Sequence, residues 1–330
     1  MASYQGAAFI GEQLESIANQ TRLPDEIVIS DDGSTDETMN VVREFAAAAP
    51  FSVRIVQNEK TVGFSRNFEQ ALAATVGDVV FLSDQDDIWF PEKIEHVTAE
   101  FERNPDVLSV IHDQRILDQA TGQVFARTYL DNQLALGLAE KELVSGNFTA
   151  LRRALITIAE PFPYKVAYDF WIAQLSTALE CRRVLREPLQ LYRRHSSNLS
   201  QPVLAHRRPT LFSELLRMGT RDPRPHWRET LERSALAAAR IEQRSDVIDK
   251  RLGSGRAKAS IARLSKEICS LERRIDIMNL PPLRRRIEVV RNWQDGLYDQ
   301  FSGARSAIRD LLQPLGQRLE SLPPSSASGE

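Results

Sequence analysis

The sequence predicts an α/β protein, a mostly parallel sheet with helices on both faces followed by a C-terminal helical extension. Three observations predict it. Through the first two hundred residues, short apolar runs of strand character alternate with stretches whose apolar residues recur at helical spacing. Two of those runs end directly in knots of aspartate, and the carboxyl ends of buried parallel strands are where open α/β sheets place their ligands. From about residue 210 the composition turns to Arg, Glu, Ala and Leu at helical spacing.

The elements follow in order. Phe9, Ile10, Leu14, Ile17 and Ala18 fall on one face of a helix over 9–18. Asp25 to Ser30, entered after Pro24, reads as a buried strand, and Val53 to Val56 as another. Phe64, Phe68, Ala71, Leu72 and Thr75 form a helical stripe stopped by Gly77, and Val79 to Leu82 is a third strand. A helix is expected from Pro91 to Phe101, with Pro91 in its first turn, and a strand from Val107 to Ile111. Tyr168 to about Leu179 reads as a helix, and Val184 to Tyr192 as two extended pieces broken by Pro188. Ile261, Leu264, Ile268, Leu271 and Ile275 keep a 3–4 repeat that is too short for a long coiled coil. The expected division is 1–206 for the catalytic domain, 207–320 for the helical extension and 321–330 for a disordered tail ending in LPPSSASGE.

Composition bounds the function. With 42% apolar and 26% charged residues the chain matches ordinary globular proteins. No apolar run approaches the ~18 residues that a bilayer span needs. The start has neither a basic region nor a cleavage-type segment, and Cys181 and Cys269 lack partner spacing, so a reducing cytosol is expected. The net charge of −3 conceals an asymmetry: residues 1–206 hold 18 Lys and Arg against 29 Asp and Glu, whereas 207–330 hold 24 against 16. An acidic front half argues against nucleic acid and suits a site that collects a cation, while the basic tail could meet an anionic membrane or the acidic half itself.

In FLSDQDDIWFPEKI three aspartates follow the apolar run 79–82. On an extended backbone Asp84 and Asp86 share a face and Asp87 takes the other. Two such carboxylates repel unless a cation sits by them, and Mg²⁺ or Mn²⁺ suits hard oxygen ligands. A solvated acidic turn leading into the helix at Pro91 is the alternative. The second cluster, ISDDGSTDET, offers Asp31 and Asp32 at a strand end, where a carboxylate could accept hydrogen bonds from a nucleobase or ribose, while Ser34 and Asp36 read as caps.

MASYQGAAFIGEQLESIANQT, EIVISDDGSTDET and GFSRNFEQALAATVGDVVFLSDQDDIWFPEKI together resemble the front half of family 2 glycosyltransferases, nearest to a bacterial rhamnosyltransferase-like branch that builds cell-surface polysaccharide. The resemblance covers roughly residues 1–200. It implies the Rossmann-like GT-A fold, a nucleotide-diphosphate sugar donor, a divalent metal, inversion at the anomeric carbon and a glycan or lipid-linked acceptor. By position it implies that Ala2, Ser3 and Tyr4 line the base pocket, that Asp32 with Asp31 holds the nucleoside, and that Arg66 and Asn67 pass near the donor. It makes Asp86 the best metal ligand and Asp84 the second, and it makes Asp169, in VAYDFWIAQL, the base that deprotonates the acceptor hydroxyl. Read as structure alone, Asp169 would be an N-cap. QLYRRHSSNLSQ matches the family's Tyr-Arg-x-His-x-x-Asn signature, so Arg193 or His195 would meet the diphosphate or metal; Ser145 to Phe148 would join the acceptor pocket, and Trp89 would pack under the metal loop.

Relatives of this kind carry about five more apolar residues before the position of Met1, forming a first strand, and an asparagine where this chain has Gln5. The first strand is therefore expected to be truncated, with exposed apolar edges beside it and a loosened base pocket. Two further readings stand beside the enzyme: a nucleotidyltransferase of similar architecture, which would need a Gly-rich basic phosphate loop near the start, and a truncated, non-catalytic scaffold. For the tail, Arg284 to Arg286 and a helix over Ala304 to Leu319 suggest peripheral contact with the inner membrane, against a helical annex packed on the catalytic domain.

Overall fold

The computed structural model describes residues 1–136, 138, 140–144, 146–196, 198, 222–301 and 303–313. Its front part alternates as the periodicity predicts: β1 (Ala2–Ser3), α1 (Ile10–Ala18), β2 (Glu26–Asp31), α2 (Thr38–Ala48), β3 (Ser52–Gln57), α3 (Phe64–Ala74), β4 (Val79–Phe81), β5 (Ile88–Trp89), α4 (Lys93–Arg103) and β6 (Ser109–Asp118). Then come β7 (Gln123–Val124), α5 (Tyr129–Ala135), β8 (Thr149–Arg152), α6 (Arg153–Ala159), α7 (Tyr168–Ala178) and β9 (Arg182–Arg194). The rest is helical: α8 (Arg224–Gln243), α9 (Ser245–Leu252), α10 (Arg256–Asn279), α11 (Pro282–Gln294) and α12 (Ala304–Leu312).

The strands form two sheets. β1, β2 and β3 pair in parallel, with Ser3 opposite Asp31 and Asp31 opposite Gln57. The second sheet runs β4-β8-β6-β9-β5 and is mixed: β6 and β9 are parallel, whereas β8 runs antiparallel to both β4 and β6. The parallel pattern thus holds in the first sheet, and short antiparallel strands complete the second. The segment expected as two pieces around Pro188 is one strand, β9, whose ladder with β6 slips in register near Asp113 and Pro188. Proline has no N–H for the ladder, and the irregularity absorbs that loss without ending the strand. α4 begins at Lys93, two residues beyond Pro91.

β1 is only two residues long. Between β2 and β4 its contact with the second sheet is the Ala2 amide donating to the Ser83 carbonyl, 3.3 Å. Below Met1 a slot of about 320 Å³ opens between these strands, lined by Ile27, Val28, Val79, Phe81 and by Ile17 and Phe68 of the covering helices. The Met1 amine lies in it and donates to the Val28 carbonyl at 2.8 Å. Burial drives that amine down to about 5, against the attraction of Asp84.

By packing the described residues fall into two compact units. The first is built from parts of Met1–Arg208 together with Leu236–Leu264. α3 lays Phe68 and Leu72 against Leu82, Leu108, Leu151 and Trp171 in its largest core. Ala237, Ile241, Ile248 and Leu252 share that core, so residues 236–264, grouped by composition with the helical extension, belong to the first unit by packing. Composition announces helices but not the core they join. Fully burying one such Leu or Ile contributes roughly 1.5–3 kcal/mol. The second unit is built from parts of Pro209–Ala235 and Ser265–Glu330. Its centre is Arg274, which is 3.0 Å from both oxygens of Asp310 and lies over Trp227 and Phe301 at 4.1 and 4.3 Å. The boundary expected at 206/207, residues 314–320 of the extension and the tail 321–330 lie outside the described residues, as does the end of the helix expected to Leu319.

Candidate active site

The carboxyl end of β2 carries Asp31 and Asp32, and both are buried. Asp31 accepts from the hydroxyls of Ser3 (2.9 Å) and Ser34 (2.6 Å) and from the Ser34 amide (2.8 Å). Asp32 takes the amides of Val62 (2.7 Å) and Gly63 (2.9 Å) and Nδ2 of Asn58 (3.2 Å). Both carboxylates therefore hold the loops around them, and a nucleoside would find only their remaining lone pairs. Asn67, on the buried face of α3, donates to the Ser30 carbonyl at 2.8 Å and the Ser3 carbonyl at 3.2 Å, bracing β1 against β2. Arg66 lies on the exposed side of the same helix, paired with Glu69 and over the Tyr164 ring.

Ser3 is buried, whereas Tyr4 is half exposed. The Tyr4 amide and carbonyl are clasped by the side-chain amide of Gln85, both bonds at 2.9 Å. Gln5 adopts a positive φ of 49°, and its side chain accepts from the amides of Thr35 and Asp36. Asparagine occupies that backbone region more readily than glutamine, so the departure at Gln5 carries a local strain. Neither Ser34 nor Asp36 is the N-cap of α2, which is Glu37; the Asp36 carboxylate still accepts the Thr38 amide at 3.1 Å. Residues 2–5 thus link the two acidic clusters, bonding to Asp31 and Ser34 on one side and to Ser83 and Gln85 on the other.

The second cluster follows β4. Residues 85 and 86 bend, so strict alternation fails, and ligand oxygens of Asp84, Asp86 and Asp87 come within 4.8 Å of one another. The Asp84 carboxylate makes no hydrogen bond among the described residues. Burial, with the charges of Asp86, Asp87 and Asp169, pushes Asp84 well above the usual carboxylate range. Three hard oxygen donors, of which Asp86 raises the proton affinity of both Asp84 and Asp87, are a donor set a divalent cation would satisfy.

β9 brings Arg193 and His195 to this cluster. His195 Nε2 is 2.9 Å from Asp86 Oδ2, and its ring stacks on Phe9 at 4.5 Å. Asn198 Oδ1 accepts the His195 amide at 2.6 Å, fixing the turn. Arg193 is buried; its Nε donates to the Asp86 carbonyl at 3.0 Å, Nη1 reaches Gln119 at 2.5 Å and Nη2 pairs with Glu12. Arg193 shapes the loop from behind.

Asp87 turns into a wholly buried polar network. Its Oδ2 accepts from Asn147 (2.6 Å) and Gln190 (3.1 Å), while Oδ1 has no hydrogen-bond partner among the described residues. Gln190 in turn accepts from Lys93 Nζ at 2.6 Å, and that ammonium sits 3.6 Å from the centre of the Trp89 ring. Burial and the Asp86 charge raise Asp87 to about 7, and burial lowers Lys93 well below its usual value. Trp89 does pack beneath the loop, buried against Phe81 and Lys93.

Asp169 lies in the first turn of α7 and is not its N-cap, which is Ala167. Burial raises its proton affinity. Its charge raises Asp84, Tyr129 and Tyr168, which places it at the same cleft. Tyr168 stacks on Phe68 at 4.2 Å and touches Gly146, where a Cβ would collide with its hydroxyl. Asn147 and Phe148 face inward, to Asp87 and the Tyr129 ring, rather than lining an open pocket; Ser145 lies outside the described residues, as do Ser197, Leu199, Ser200 and Gln201 of the QLYRRHSSNLSQ segment.

The structure thus brings Ser3, Tyr4, Asp31, Asp32 and Asn67 to one wall, with Asp84, Asp86, Arg193, His195 and Asp169 around the acidic loop, and leaves Arg66 on the helix flank. Partly buried Ala2 belongs to the short β1. Gln85, Lys93 and Gln190 join the site without a local signal in the sequence. Each acts across 80 or more residues, Tyr4–Gln85 over 81 and Lys93–Gln190 over 97, and nothing local signals such a partner.

Residues 1–157 match the family described as Glycosyl transferase family 2. An uncharacterized glycosyltransferase of Nostoc sp. is 28% identical over 209 residues, 60% of this chain and 64% of that protein. The dTDP-rhamnosyl transferase RfbG of Shigella flexneri is 39% identical over 100 residues, 29% of this chain and 35% of that protein. The chain spans about three-fifths of the length of the first curated relatives it matches. The crystal structure of S. aureus TarS 1–349 in complex with UDP-GlcNAc aligns at a TM-score of 0.53 and 17% identity, covering 94% of this chain and 87% of that one, a likeness of fold.

Proposed function

From a chain whose front half belongs to glycosyltransferase family 2, in the GT-A fold, we propose an inverting transferase that moves a sugar from a nucleotide-diphosphate donor to a hydroxyl of a glycan or lipid-linked acceptor in bacterial cell-surface polysaccharide synthesis. The observation that carries this reading is the set of aspartate oxygens of 84, 86 and 87 within 4.8 Å, with Asp169 near enough to raise the proton affinity of Asp84. TarS, solved with UDP-GlcNAc, and RfbG, named for dTDP-rhamnose, support the donor class.

The residues divide the work. Ser3, Tyr4 and the Asp31–Asp32 wall receive the nucleoside. Asp86 and Asp84 would hold Mg²⁺ or Mn²⁺, which would supply a Lewis acid that offsets charge on the departing diphosphate. His195, 2.9 Å from Asp86, orients that carboxylate. Asp169 takes the proton of the acceptor hydroxyl as it attacks, and its raised proton affinity makes it a stronger base than an exposed aspartate. Among the described residues no helix is long and apolar enough to cross a membrane, and the second unit is the part that would approach a lipid-linked acceptor.

A panel of nucleotide sugars, assayed for metal-dependent hydrolysis and transfer, tests the reading. Asp86→Ala should abolish turnover and divalent-ion binding together. Asp169→Asn should lower transfer by about 10²–10⁴-fold with donor affinity kept. Wild-type turnover in Asp169→Asn would remove it as the base, and no turnover of any donor would end the enzyme reading.

A further inference from the structure

α11 is amphipathic in an unusual sense. Its buried face carries Arg285, Val289 and Asn292, while its apolar residues Leu283, Ile287, Val290 and Trp293 are exposed, Leu283 at 74% and Ile287 at 52%. At 3.6 residues per turn, positions 283, 287, 290 and 293 form one stripe, about 15 Å long. Arg284 and Arg291 flank it on one side, and Arg286 projects from within it, between Val290 and Trp293. Arg284 and Arg286 are exposed and make no hydrogen bond or ion pair among the described residues. The one acid of the helix, Glu288, sits toward the buried side, held by Arg273 at 3.2 Å, Arg291 at 2.7 Å and Asn292. α12 repeats the pattern on a smaller scale: Ser306, Ala307 and Asp310 are buried, while Ile308 and Leu312 are 44% and 51% exposed beside Arg305.

An apolar stripe with arginines along one border and a further arginine among its residues suits a helix lying in a lipid interface. The apolar residues enter the acyl boundary, and the guanidinium groups reach outward to the headgroup phosphates on long stems. We propose that α11 is an interfacial helix that docks the second unit on an anionic bilayer surface through Leu283, Ile287, Val290 and Trp293, with Arg284 and Arg286 against the phosphates. The polarity of the rim favours this occupant over a second copy of the chain: two such faces would bring like charges together. The surface does not depend on the transferase reading, although that reading gives it a use by holding the protein near a lipid-linked acceptor.

Trp293 supplies the test, because Trp89, Trp171 and Trp227 are buried. The full chain is mixed with vesicles of phosphatidylcholine alone, or of phosphatidylcholine with phosphatidylglycerol carrying brominated tails. Binding and fluorescence quenching are expected on the anionic vesicles, with the quenching absent in Trp293→Phe. Arg284→Gln and Arg286→Gln should each weaken binding roughly fivefold, since one basic side chain near such a surface is worth about that factor. A Leu283→Ser/Ile287→Ser double variant, changed only at exposed positions, should fold and lose binding. Equal sedimentation with neutral and anionic vesicles overturns the proposal. So does binding that vanishes on deleting residues 314–330, or a concentration-dependent dimer that the double variant dissolves without any vesicle binding. Donor turnover in solution is measured separately, so loss of vesicle binding with turnover intact refutes the docking surface alone.

Discussion

Replacing Asp32 with alanine should loosen the donor wall before it touches any chemistry. In the wild type one carboxylate oxygen takes the Val62 amide at 2.7 Å and Asn58 Nδ2 at 3.2 Å, and the other takes the Gly63 amide at 2.9 Å. Hydrogen bonds to a charged group are worth about 1.5–3 kcal/mol each, so the two short ones total roughly 3–6 kcal/mol. The loop can swing out and recover water, because residues 59–64 are exposed, which reduces the loss to about 2–4 kcal/mol. The damage should then travel. Gly63 is the N-cap of α3, at a φ of 89° that favours glycine, and Asn67 one turn on braces the Ser3 and Ser30 carbonyls.

Urea unfolding gives the magnitude, and amide exchange gives the place. Val62 and Gly63 should lose protection in Asp32→Ala, with smaller losses at Ser3 and Ser30. Asp32→Asn keeps one acceptor oxygen and should fall about midway. An unchanged urea midpoint together with wild-type exchange at Val62 and Gly63 would refute the clamp and return Asp32 to a purely nucleoside-facing role. Weaker donor binding alone would not rescue the reasoning.

Asp87, raised to about 7, should make stability fall with rising pH. A folded value above the unfolded one of ~3.9 means a penalty absent below about 4, growing between, and complete above 7; Asp87→Asn should therefore gain on the wild type at pH 8 relative to pH 5 in paired thermal melts. Gly146→Ala forces the Tyr168 hydroxyl and ring edge aside, costing about 1–3 kcal/mol and lowering turnover through the neighbouring Asp169, and a second change that removes the ring, Tyr168→Leu, should relieve the clash where Tyr168→Phe, which keeps the ring, should not. Asp310→Asn strips Arg274 of its buried bidentate partner and should cost about 3–5 kcal/mol in denaturant unfolding, without altering the divalent-ion affinity of the Asp84–Asp86 loop.

Local pattern carried much of the fold. The α3 stripe was legible because Phe68, Ala71 and Leu72 recur at helical spacing, and all three are buried; Phe64, counted in the same stripe, is 47% exposed. The strand before Asp84 was legible from its unbroken apolar run. What escaped was decided at long range. β8 and α6 are short and acquire their identity from partners, β8 by pairing with both β4 and β6. Residues 236–264 read as helix from composition, but only packing against Leu175, Leu179 and Cys181 assigns them to the first unit. Asp87 was assigned to the far face by alternation, which the bend at 85 and 86 cancels.

The two acidic clusters look alike in sequence and differ in what the protein does with them. Asp31 and Asp32 are surrounded by donors, six hydrogen bonds from Ser3, Ser34, Asn58, Val62 and Gly63, so the fold itself satisfies their charge. Asp84 meets no donor among the described residues, faces three other carboxylates, and is pushed well above the usual carboxylate range by burial and those charges. A fold that can clamp one pair of aspartates so fully, yet leaves another bare a few residues beyond a neighbouring strand, bears a large electrostatic cost unless something outside the chain relieves it. Relief by protonation of Asp84 alone needs no ligand and would leave stability indifferent to an added cation. Relief by a divalent cation uses Asp84 and Asp86 together, so the two cases part cleanly: adding Mn²⁺ should raise the melting temperature of the wild type and leave that of Asp84→Asn/Asp86→Asn unmoved.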